Sequence, residues 1–139
     1  MDGDGWSRCA LGHRHWGRYG AAGLLVVAPG PAVLLQHRAP WSHGGDTWGV
    51  PGGARRRTET AVEAALRETT EETALDVSRV RVTGRHVDDH GSWAYVTVLA
   101  DHGGVLAAVT DSTPTRPQSS ASKTSSPSHS NSCSTSTAN

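Results

Sequence analysis

Three closely spaced glutamates are the residues whose side chains could do chemistry. Glu68, Glu71 and Glu72 stand at positions i, i+3 and i+4, so on a helix their carboxylates project from one face. Like charges at this spacing destabilise an exposed helix by roughly 0.2–0.5 kcal/mol per pair, a cost that a bound divalent cation reverses. Carboxylate oxygens suit Mg²⁺ or Mn²⁺, and Mg²⁺ usually binds a few carboxylates together with substrate phosphates. The cluster therefore predicts a metal site for a phosphate compound.

A solvated helix face is the simpler explanation for a bare Glu-x-x-Glu-Glu pattern. Two neighbouring features favour the metal site instead. Glu63 precedes Arg67 by four residues, which can hold the guanidinium beside the acids. A double glycine, Gly52-Gly53, lies shortly before the helix, as expected where another group approaches the backbone closely.

The helix that carries the glutamates is predicted over residues 60–73. Thr60 and Glu63 form a capping-box pattern, and neither Gly nor Pro interrupts the chain before Asp76. A stripe of small and apolar side chains should pack against a sheet. The stripe consists of Ala61, Val62, Ala65, Leu66 and Thr69.

Short apolar runs around this helix predict strands. Residues 21–27 and 32–37 indicate a hairpin of two largely buried strands, and residues 48–53 bring an extended piece into a glycine-rich turn. Two further strands are expected near residues 80–87 and 93–100, separated by a turn at residues 88–91. The order of strands, helix and strands indicates an α/β protein of the α+β type.

Residues 53–75 resemble the Nudix box. In that motif Gly, five residues, Glu, seven residues, Arg-Glu, an apolar residue, any residue, Glu-Glu, any residue, Gly and an apolar residue follow one another. The charged positions and the first glycine are matched at the correct spacing by Gly53, Glu59, Arg67, Glu68, Glu71 and Glu72. The preceding residues 48–52 are similar to the family's usual lead-in. The chain is thereby identified as a member of the Nudix hydrolase family.

The resemblance implies a fold, a reaction and a set of site residues. The fold would be a mixed β-sheet sandwiched by helices. Glu68, Glu71 and Glu72 would bind Mg²⁺ or Mn²⁺, the Gly53 carbonyl would add a ligand, and Glu59 and Arg67 would orient the carboxylates. A purely structural Glu59–Arg67 pair is the alternative.

The reaction would be hydrolysis within the diphosphate of a nucleoside diphosphate derivative. An inactive or truncated Nudix domain that only binds nucleotide is the alternative function.

Two positions depart from the box. Thr69 stands where the family prefers an apolar residue, and its hydroxyl is expected to bond to a carbonyl one turn back. Ala74 stands where the family has Gly at the end of the helix. A left-handed conformation at that position would cost a residue with a Cβ about 1 kcal/mol more than Gly, so the loop should be displaced or the domain less stable.

Weaker candidates lie outside the box. Asp88, Asp89 and His90 could supply a general base or a further metal ligand, although such residues are common in turns anyway. Trp93 and Tyr95 share one strand face and could stack on a base, but aromatic residues on half-buried strands also serve packing.

The cysteines and the first histidines do not predict a metal site. Cys9, His13 and His15 have soft-ligand character, but no fourth ligand is evident at a plausible spacing, so zinc is not predicted. Cys133 lies in a stretch without any ordering signal, so a disulfide with Cys9 is improbable. A reducing, cytoplasmic setting fits this cysteine usage.

Composition bounds the remaining possibilities. The chain has 139 residues with thirteen basic and thirteen acidic side chains, so it lacks the electrostatic footprint of a protein that grips polymeric nucleic acid. No apolar run is long enough to span a membrane, and no leader is evident at the amino end. The partner should therefore be a small-molecule nucleoside diphosphate derivative.

Composition changes abruptly near residue 110, where a Ser/Thr-rich stretch begins. We expect a polar segment over residues 1–18, a Nudix-like domain over residues 19–109 and a disordered tail over residues 110–139. The domain would then lack its carboxy-terminal strand and helix, and the exposed sheet could associate into a homodimer. A frameshifted or truncated gene product is one hypothesis. It would be dropped if neither of the other reading frames of the coding DNA restored an apolar strand and an amphipathic helix.

Overall fold

A computed structural model describes residues 2–42 and 44–104. One α-helix, α1 (Ala61–Glu72), and nine strands are present in these ranges. A 3₁₀ turn, Val77–Arg79, follows the helix. The strands are β1 (Trp6–Arg8), β2 (Arg14–Trp16), β3 (Ala21–Ala28), β4 (Ala32–Val33), β5 (Gln36–His37), β6 (Trp48–Gly49), β7 (Gly52–Ala54), β8 (Val80–Asp89) and β9 (Ala94–His102).

The central sheet is mixed. Its strands follow the order β4-β3-β9-β8, and β7 also pairs with the first half of β3. Strand β9 runs parallel to β3 and antiparallel to β8, with an irregularity between Val82 and Gly84. Strands β1 and β2 form a separate hairpin, and β5 pairs with β6. This architecture confirms the expected mixed sheet. The carboxy-terminal strand and helix whose loss was expected would fall outside the described residues.

Helix α1 covers one face of the sheet and creates the main core. Leu24, Val26 and Val98 on the sheet are fully buried, as are Ala64 and Ala65 on the helix. The two alanines have short side chains, so they let the helix backbone approach the strands. Ala61, Val62 and Leu66 of the predicted stripe pack at the rim of this core, and Thr69 is fully buried. The stripe is therefore confirmed, with Ala64 added to it.

The predicted hairpin near Pro29–Pro31 is present, but its second strand is shorter and more exposed than expected. Strand β3 is buried almost throughout, whereas β4 has only two residues, both exposed. Beyond β4 the chain leaves the sheet, because Gln36 and His37 pair with β6 instead. The glycine-rich segment also differs from expectation, since Gly52 and Gly53 lie in strand β7 rather than in a turn.

The end of α1 does not adopt the left-handed conformation on which the predicted cost depends. Thr73 caps the helix in an extended conformation, with φ −135° and ψ 167°. Asp46 is the one non-glycine residue with positive φ in the described ranges, so Ala74 does not adopt the left-handed conformation. Leu75 packs against the core directly after it. The Thr69 hydroxyl donates to the Ala65 carbonyl at 2.7 Å, as predicted.

Residues 2–18, expected to be a polar segment, contain the β1–β2 hairpin. Cys9 in its connecting loop is buried in a small second core with Ala21 and Trp93. Among the described residues, no helix is long and apolar enough to cross a membrane.

Candidate active site on helix α1

Local sequence fixes where α1 begins. Thr60 is its N-cap, and the Thr60 hydroxyl accepts a hydrogen bond from the Glu63 backbone N–H at 3.2 Å. The Glu63 carboxylate accepts in return from the Thr60 N–H at 2.8 Å. This capping box is the predicted one, and it occupies Glu63. Glu63 is therefore not the partner of Arg67, which corrects the interpretation of the Glu63–Arg67 spacing.

Arg67 is the centre of the ionic network. Its Nε and Nη2 atoms donate to the two Glu59 carboxylate oxygens at 2.7 and 2.9 Å, and Nη2 also donates to the Ala54 carbonyl at 3.0 Å. Its Nη1 donates to Glu68 Oε1 at 2.7 Å and to Glu71 Oε2 at 3.3 Å. Only 15% of the Arg67 side chain is exposed, so these contacts are screened little by solvent. The guanidinium thus links strand β7, the loop before α1 and two of the three glutamates.

Glu59 is held on both sides. The Arg56 backbone N–H donates to its Oε2 at 3.0 Å, in addition to the two bonds from Arg67. The Arg55 side chain donates to the Glu59 carbonyl through Nη2 at 2.9 Å. Glu59 thus fixes the loop between β7 and α1 as well as the guanidinium. These contacts are compatible with both the structural role and the orienting role expected for the Glu59–Arg67 pair.

Glu72 faces the other side of the site. Its Oε2 accepts from the Gly52 backbone N–H at 3.0 Å and from the Gln36 side-chain amide at 2.8 Å. These contacts bring β7, β5 and the last turn of α1 together. Sequence reasoning missed Gln36, because a lone glutamine before a loop carries no signal of its own.

The double glycine allows two close approaches. A Cβ on Gly52 would lie 2.6 Å from the Ala22 carbonyl oxygen, so a side chain there would push β7 away from β3. A Cβ on Gly53 would lie 2.6 Å from both Cδ and Oε1 of Glu68. The expectation that another group approaches this backbone is confirmed: the Glu68 carboxylate rests against Gly53.

Burial and charge shift the pKa values of the acids in different directions. The pKa of Glu72 is raised to about 7, chiefly by burial; the hydrogen bonds from Gly52 and Gln36 oppose the rise, and the nearby negative charges of Glu68 and Glu71 add to it. Burial also raises the pKa of Glu68, although Arg67 opposes the change. The Arg67 hydrogen bonds hold the pKa of Glu59 below its ordinary value. The site therefore contains two carboxylates whose charge is poorly compensated.

The donor set fits a hard divalent cation. The hydrogen bonds above engage Oε1 of Glu68, Oε2 of Glu71 and Oε2 of Glu72, and each carboxylate has further lone pairs to offer. All donors are oxygens, as Mg²⁺ and Mn²⁺ prefer. A cation would also offset the burial of charge on Glu68 and Glu72. The missing Cβ of Gly53 leaves the room that the Glu68 carboxylate uses.

The weaker candidates lie elsewhere. Trp93 is buried, stacks on His15 with ring centroids 3.9 Å apart, and donates from Nε1 to the Gly17 carbonyl at 2.9 Å, which matches the packing role that the sequence left open. Tyr95 is half-buried, and a Cβ on Gly23 would collide with its hydroxyl. Asp88 and Asp89 are the last residues of β8 rather than part of the turn.

His90 belongs to a different group from the glutamates. It meets Cys9, His13 and His15, and the possible ligand atoms of these four side chains lie within 4.8 Å of one another. Sequence reasoning rejected a metal site here because it sought the fourth ligand near the other three. His90, the fourth possible ligand, lies in the turn after β8. It is about 80 residues from Cys9 in sequence, so only the folded chain brings it near the other three side chains.

Comparison with known proteins agrees with the fold and the motif. A family model described as the NUDIX domain matches residues 17–121. A Mycobacterium tuberculosis protein provisionally named 8-oxo-dGTP diphosphatase 3 is 51% identical over 118 residues, covering 78% of this chain and 54% of that protein. A Bifidobacterium longum protein, named as a fusion of a nucleoside triphosphate pyrophosphatase and a Nudix hydrolase, is 47% identical over 104 residues, covering 70% of this chain and 22% of that protein.

A solved structure of a Nudix hydrolase has a similar fold. The crystal structure of a Nudix hydrolase from M. smegmatis is 46% identical, covers 76% of this chain and 74% of its own, and superimposes with a TM-score of 0.65. The chain spans about half the length of the M. tuberculosis relative. The matched family model, these identities and the carboxylate helix capped next to a double-glycine strand together show that the chain belongs to the Nudix hydrolase family.

Proposed function

We propose that this chain is a divalent-metal-dependent pyrophosphohydrolase that cleaves the diphosphate of nucleoside diphosphate derivatives. The observation that carries the proposal is the convergence of Glu68, Glu71 and Glu72 at one site. Arg67 holds Glu68 and Glu71 from one side, and Gly52 and Gln36 hold Glu72 from the other. Acids on a merely solvated helix face would not need partners on two separate strands.

The glutamates are the proposed metal ligands, with the Gly53 carbonyl as a further donor. Mg²⁺ or Mn²⁺ bound there would neutralise the charge of the diphosphate and make the attacking water more acidic. Glu59 is the positioning residue: it fixes the Arg67 guanidinium, which in turn fixes two of the glutamates. The contacts of Gly52 and Gln36 fix the third glutamate.

The reaction is a hydrolysis in which water adds to phosphorus and the anhydride oxygen leaves. A nucleoside triphosphate would give a nucleoside monophosphate and pyrophosphate, and a nucleoside diphosphate joined to another group would give two phosphate monoesters. Catalysis of this kind depends on positioning and on stabilising charge rather than on a protein nucleophile. The network around Arg67 supplies such positioning.

The substrate class follows from the family, and the first substrate to assay follows from a relative. The name of the M. tuberculosis relative refers to 8-oxo-dGTP, an oxidised purine nucleotide. Oxidised nucleoside triphosphates therefore stand first in a panel that also contains nucleoside diphosphate sugars and dinucleoside polyphosphates.

The test incubates the purified chain with Mg²⁺ or Mn²⁺ and each member of this panel, and quantifies the nucleotide products by anion-exchange chromatography. We expect turnover that requires the metal and is lost in Glu71→Gln and in Glu72→Gln. Asp101→Asn is the matched control, because Asp101 is an acid on β9 that forms only an exposed ion pair with Arg81 at 3.2 Å. Equal product release by the wild type and both glutamine variants would show that the assigned metal site is wrong.

A domain that binds nucleotide without cleaving it is the second candidate. It is favoured only if folded wild-type chain binds a nucleotide from the panel, measured by calorimetry, while no panel member is hydrolysed. If that binding depends on Mg²⁺ and on Glu72, the assigned metal site would stand, and its role would be nucleotide binding rather than hydrolysis.

A further inference from the structure

Four soft-ligand side chains meet beside the β1–β2 hairpin. Cys9 and His13 lie in the loop between β1 and β2, His15 lies in β2, and His90 lies in the turn after β8. The Ala10 N–H donates to the His90 carbonyl at 3.3 Å, which ties the loop to the turn. The potential ligand atoms of the four side chains all lie within 4.8 Å of one another. The group thus joins two segments that are about 80 residues apart in sequence.

The spacing is close to that of a tetrahedral zinc site. Zn–S bonds of about 2.3 Å and Zn–N bonds of about 2.0–2.1 Å place ligand atoms roughly 3.3–3.6 Å apart. The Cys9 sulfur lies 3.9 Å from His90 Nδ1. The cluster is therefore only slightly wider than a loaded site.

His90 is oriented as a metal ligand would be. Its Nδ1 faces the Cys9 sulfur, while its Nε2 lies 3.3 Å from the Asp88 carboxylate. A carboxylate that accepts from the second ring nitrogen fixes the tautomer and the orientation of a ligating histidine. The Asp88–His90 pair thus leaves Nδ1 free to act as an electron-pair donor towards the centre of the cluster.

His15 provides an independent observation. Its Nε2 is buried and has no hydrogen-bond partner among the described residues. The ring itself is held, because it stacks on Trp93 at an interplanar angle of 8°. A buried nitrogen without a partner loses its hydration without compensation. A metal ion would supply the missing partner.

The geometry points to a second metal site in this chain: Cys9, His13, His15 and His90 bind Zn²⁺ in a closed tetrahedral site. One thiolate and three imidazoles are soft or borderline donors, so they select Zn²⁺ over the Mg²⁺ or Mn²⁺ proposed for the glutamates. Four protein ligands leave no open position for a substrate, which makes the site structural. Its role is to clamp the β1–β2 hairpin to the β8–β9 turn.

The test uses the full chain, expressed without a polyhistidine tag and stripped of metal. We expect one equivalent of Zn²⁺ to bind and to raise the melting temperature. Co²⁺ in its place should give the visible absorption of a tetrahedral ion together with a thiolate-to-metal charge-transfer band. Saturating Mg²⁺ should not displace either ion. Absence of Zn²⁺ binding by the folded wild-type chain would overturn the proposal.

Variants assign the ligands. Cys9→Ser should abolish the charge-transfer band, and His13→Asn should lower Zn²⁺ affinity at an exposed position where folding is not at risk. Asp88→Asn should weaken binding by about 10–100-fold, as expected when the partner of a ligating histidine is removed. His86→Gln, at an exposed histidine of the same strand, is the control and should bind as the wild type does. If Cys9→Ser fails to fold, unchanged affinity in His13→Asn would still refute the site.

Discussion

At the scale of single residues, one buried guanidinium organises the candidate active site. Arg67 makes its contacts with little exposure to solvent, and its closest partners, Glu59 and Glu68, are 11% and 14% exposed. A buried ion pair adds little to stability compared with apolar packing, but removal of one partner leaves a buried charge without compensation. The contacts of Arg67 are thus better explained by the positioning of the neighbouring glutamates than by a gain in stability.

Arg67→Ala should therefore be strongly destabilising. We expect a loss of up to about 3–5 kcal/mol in the free energy of unfolding, because Glu59 and Glu68 are largely shielded from solvent and would lose their partner. Urea denaturation in metal-free buffer measures it. Arg81→Ala, which breaks the exposed pair with Asp101, is the matched control and should cost no more than about 1 kcal/mol. Equal costs for the two variants would contradict the central role of Arg67.

Gly53→Ala tests the close approach of Glu68. The added Cβ would lie 2.6 Å from the Glu68 carboxylate, so that carboxylate must move. We expect metal-dependent turnover to fall at least tenfold while the circular dichroism spectrum stays unchanged. Gly103→Ala is the control, since a Cβ there meets nothing within 4 Å. Full activity in Gly53→Ala would show that the position of Glu68 against Gly53 is not needed.

At the scale of elements, patterns local in sequence were predictable and pairings between distant segments were not. The start of α1 follows from Thr60 and Glu63, whose contacts span three residues. The short, exposed β4 was not foreseen, because the apolar run of residues 32–37 does not reveal that Gln36 and His37 pair with β6. The hydrogen bond from Gln36 to Glu72 depends on that same pairing.

At the end of α1, the left-handed conformation for which the family uses glycine is not adopted at Ala74. Thr73 ends the helix in an extended conformation, and its hydroxyl donates to the Thr69 carbonyl at 2.7 Å and accepts from the Leu75 N–H at 3.2 Å. These bonds satisfy backbone groups that a left-handed glycine would otherwise help to satisfy. Thr73, one residue before the family's glycine position, thus ends the helix in this chain.

Ala74→Gly, which restores the family residue, should accordingly not stabilise the chain. Ala74 avoids positive φ, so glycine would only add conformational freedom to the unfolded state. We expect a loss of about 0.4–1 kcal/mol in the free energy of unfolding, measured by urea denaturation. A gain in stability would mean that position 74 does favour the left-handed conformation.

At the scale of the whole molecule, equal numbers of acidic and basic residues conceal an uneven distribution of charge. Negative charge gathers at the end of α1, where Glu72 faces Glu68 and Glu71 on its own helix, the Gly52 N–H on β7 and Gln36 on β5. The sequence revealed this excess through the spacing of the glutamates. It could not reveal the burial of Glu72, which depends on strands brought together by the fold.

Burial of Glu72 makes the stability of the metal-free chain depend on pH. Its pKa rises from 4.5 in the unfolded chain to about 7 in the folded chain, so the folded state binds a proton that the unfolded state releases between these values. The contribution of Glu72 is therefore fully present below pH 4.5 and is lost as the pH rises through about 7.

The measurement is the difference in free energy of unfolding between the wild type and Glu72→Gln, followed from pH 4.5 to above 7. The difference cancels the contributions of groups that do not interact with Glu72. We expect the wild type to lose stability relative to the variant as the pH rises. Mg²⁺ should restore that stability near pH 7 in the wild type and have little effect in the variant, because the cation competes with the proton for the same carboxylate. A pH-independent difference would show that the pKa of Glu72 is the same in the folded and the unfolded chain, and the site would then compensate its charge without a cation.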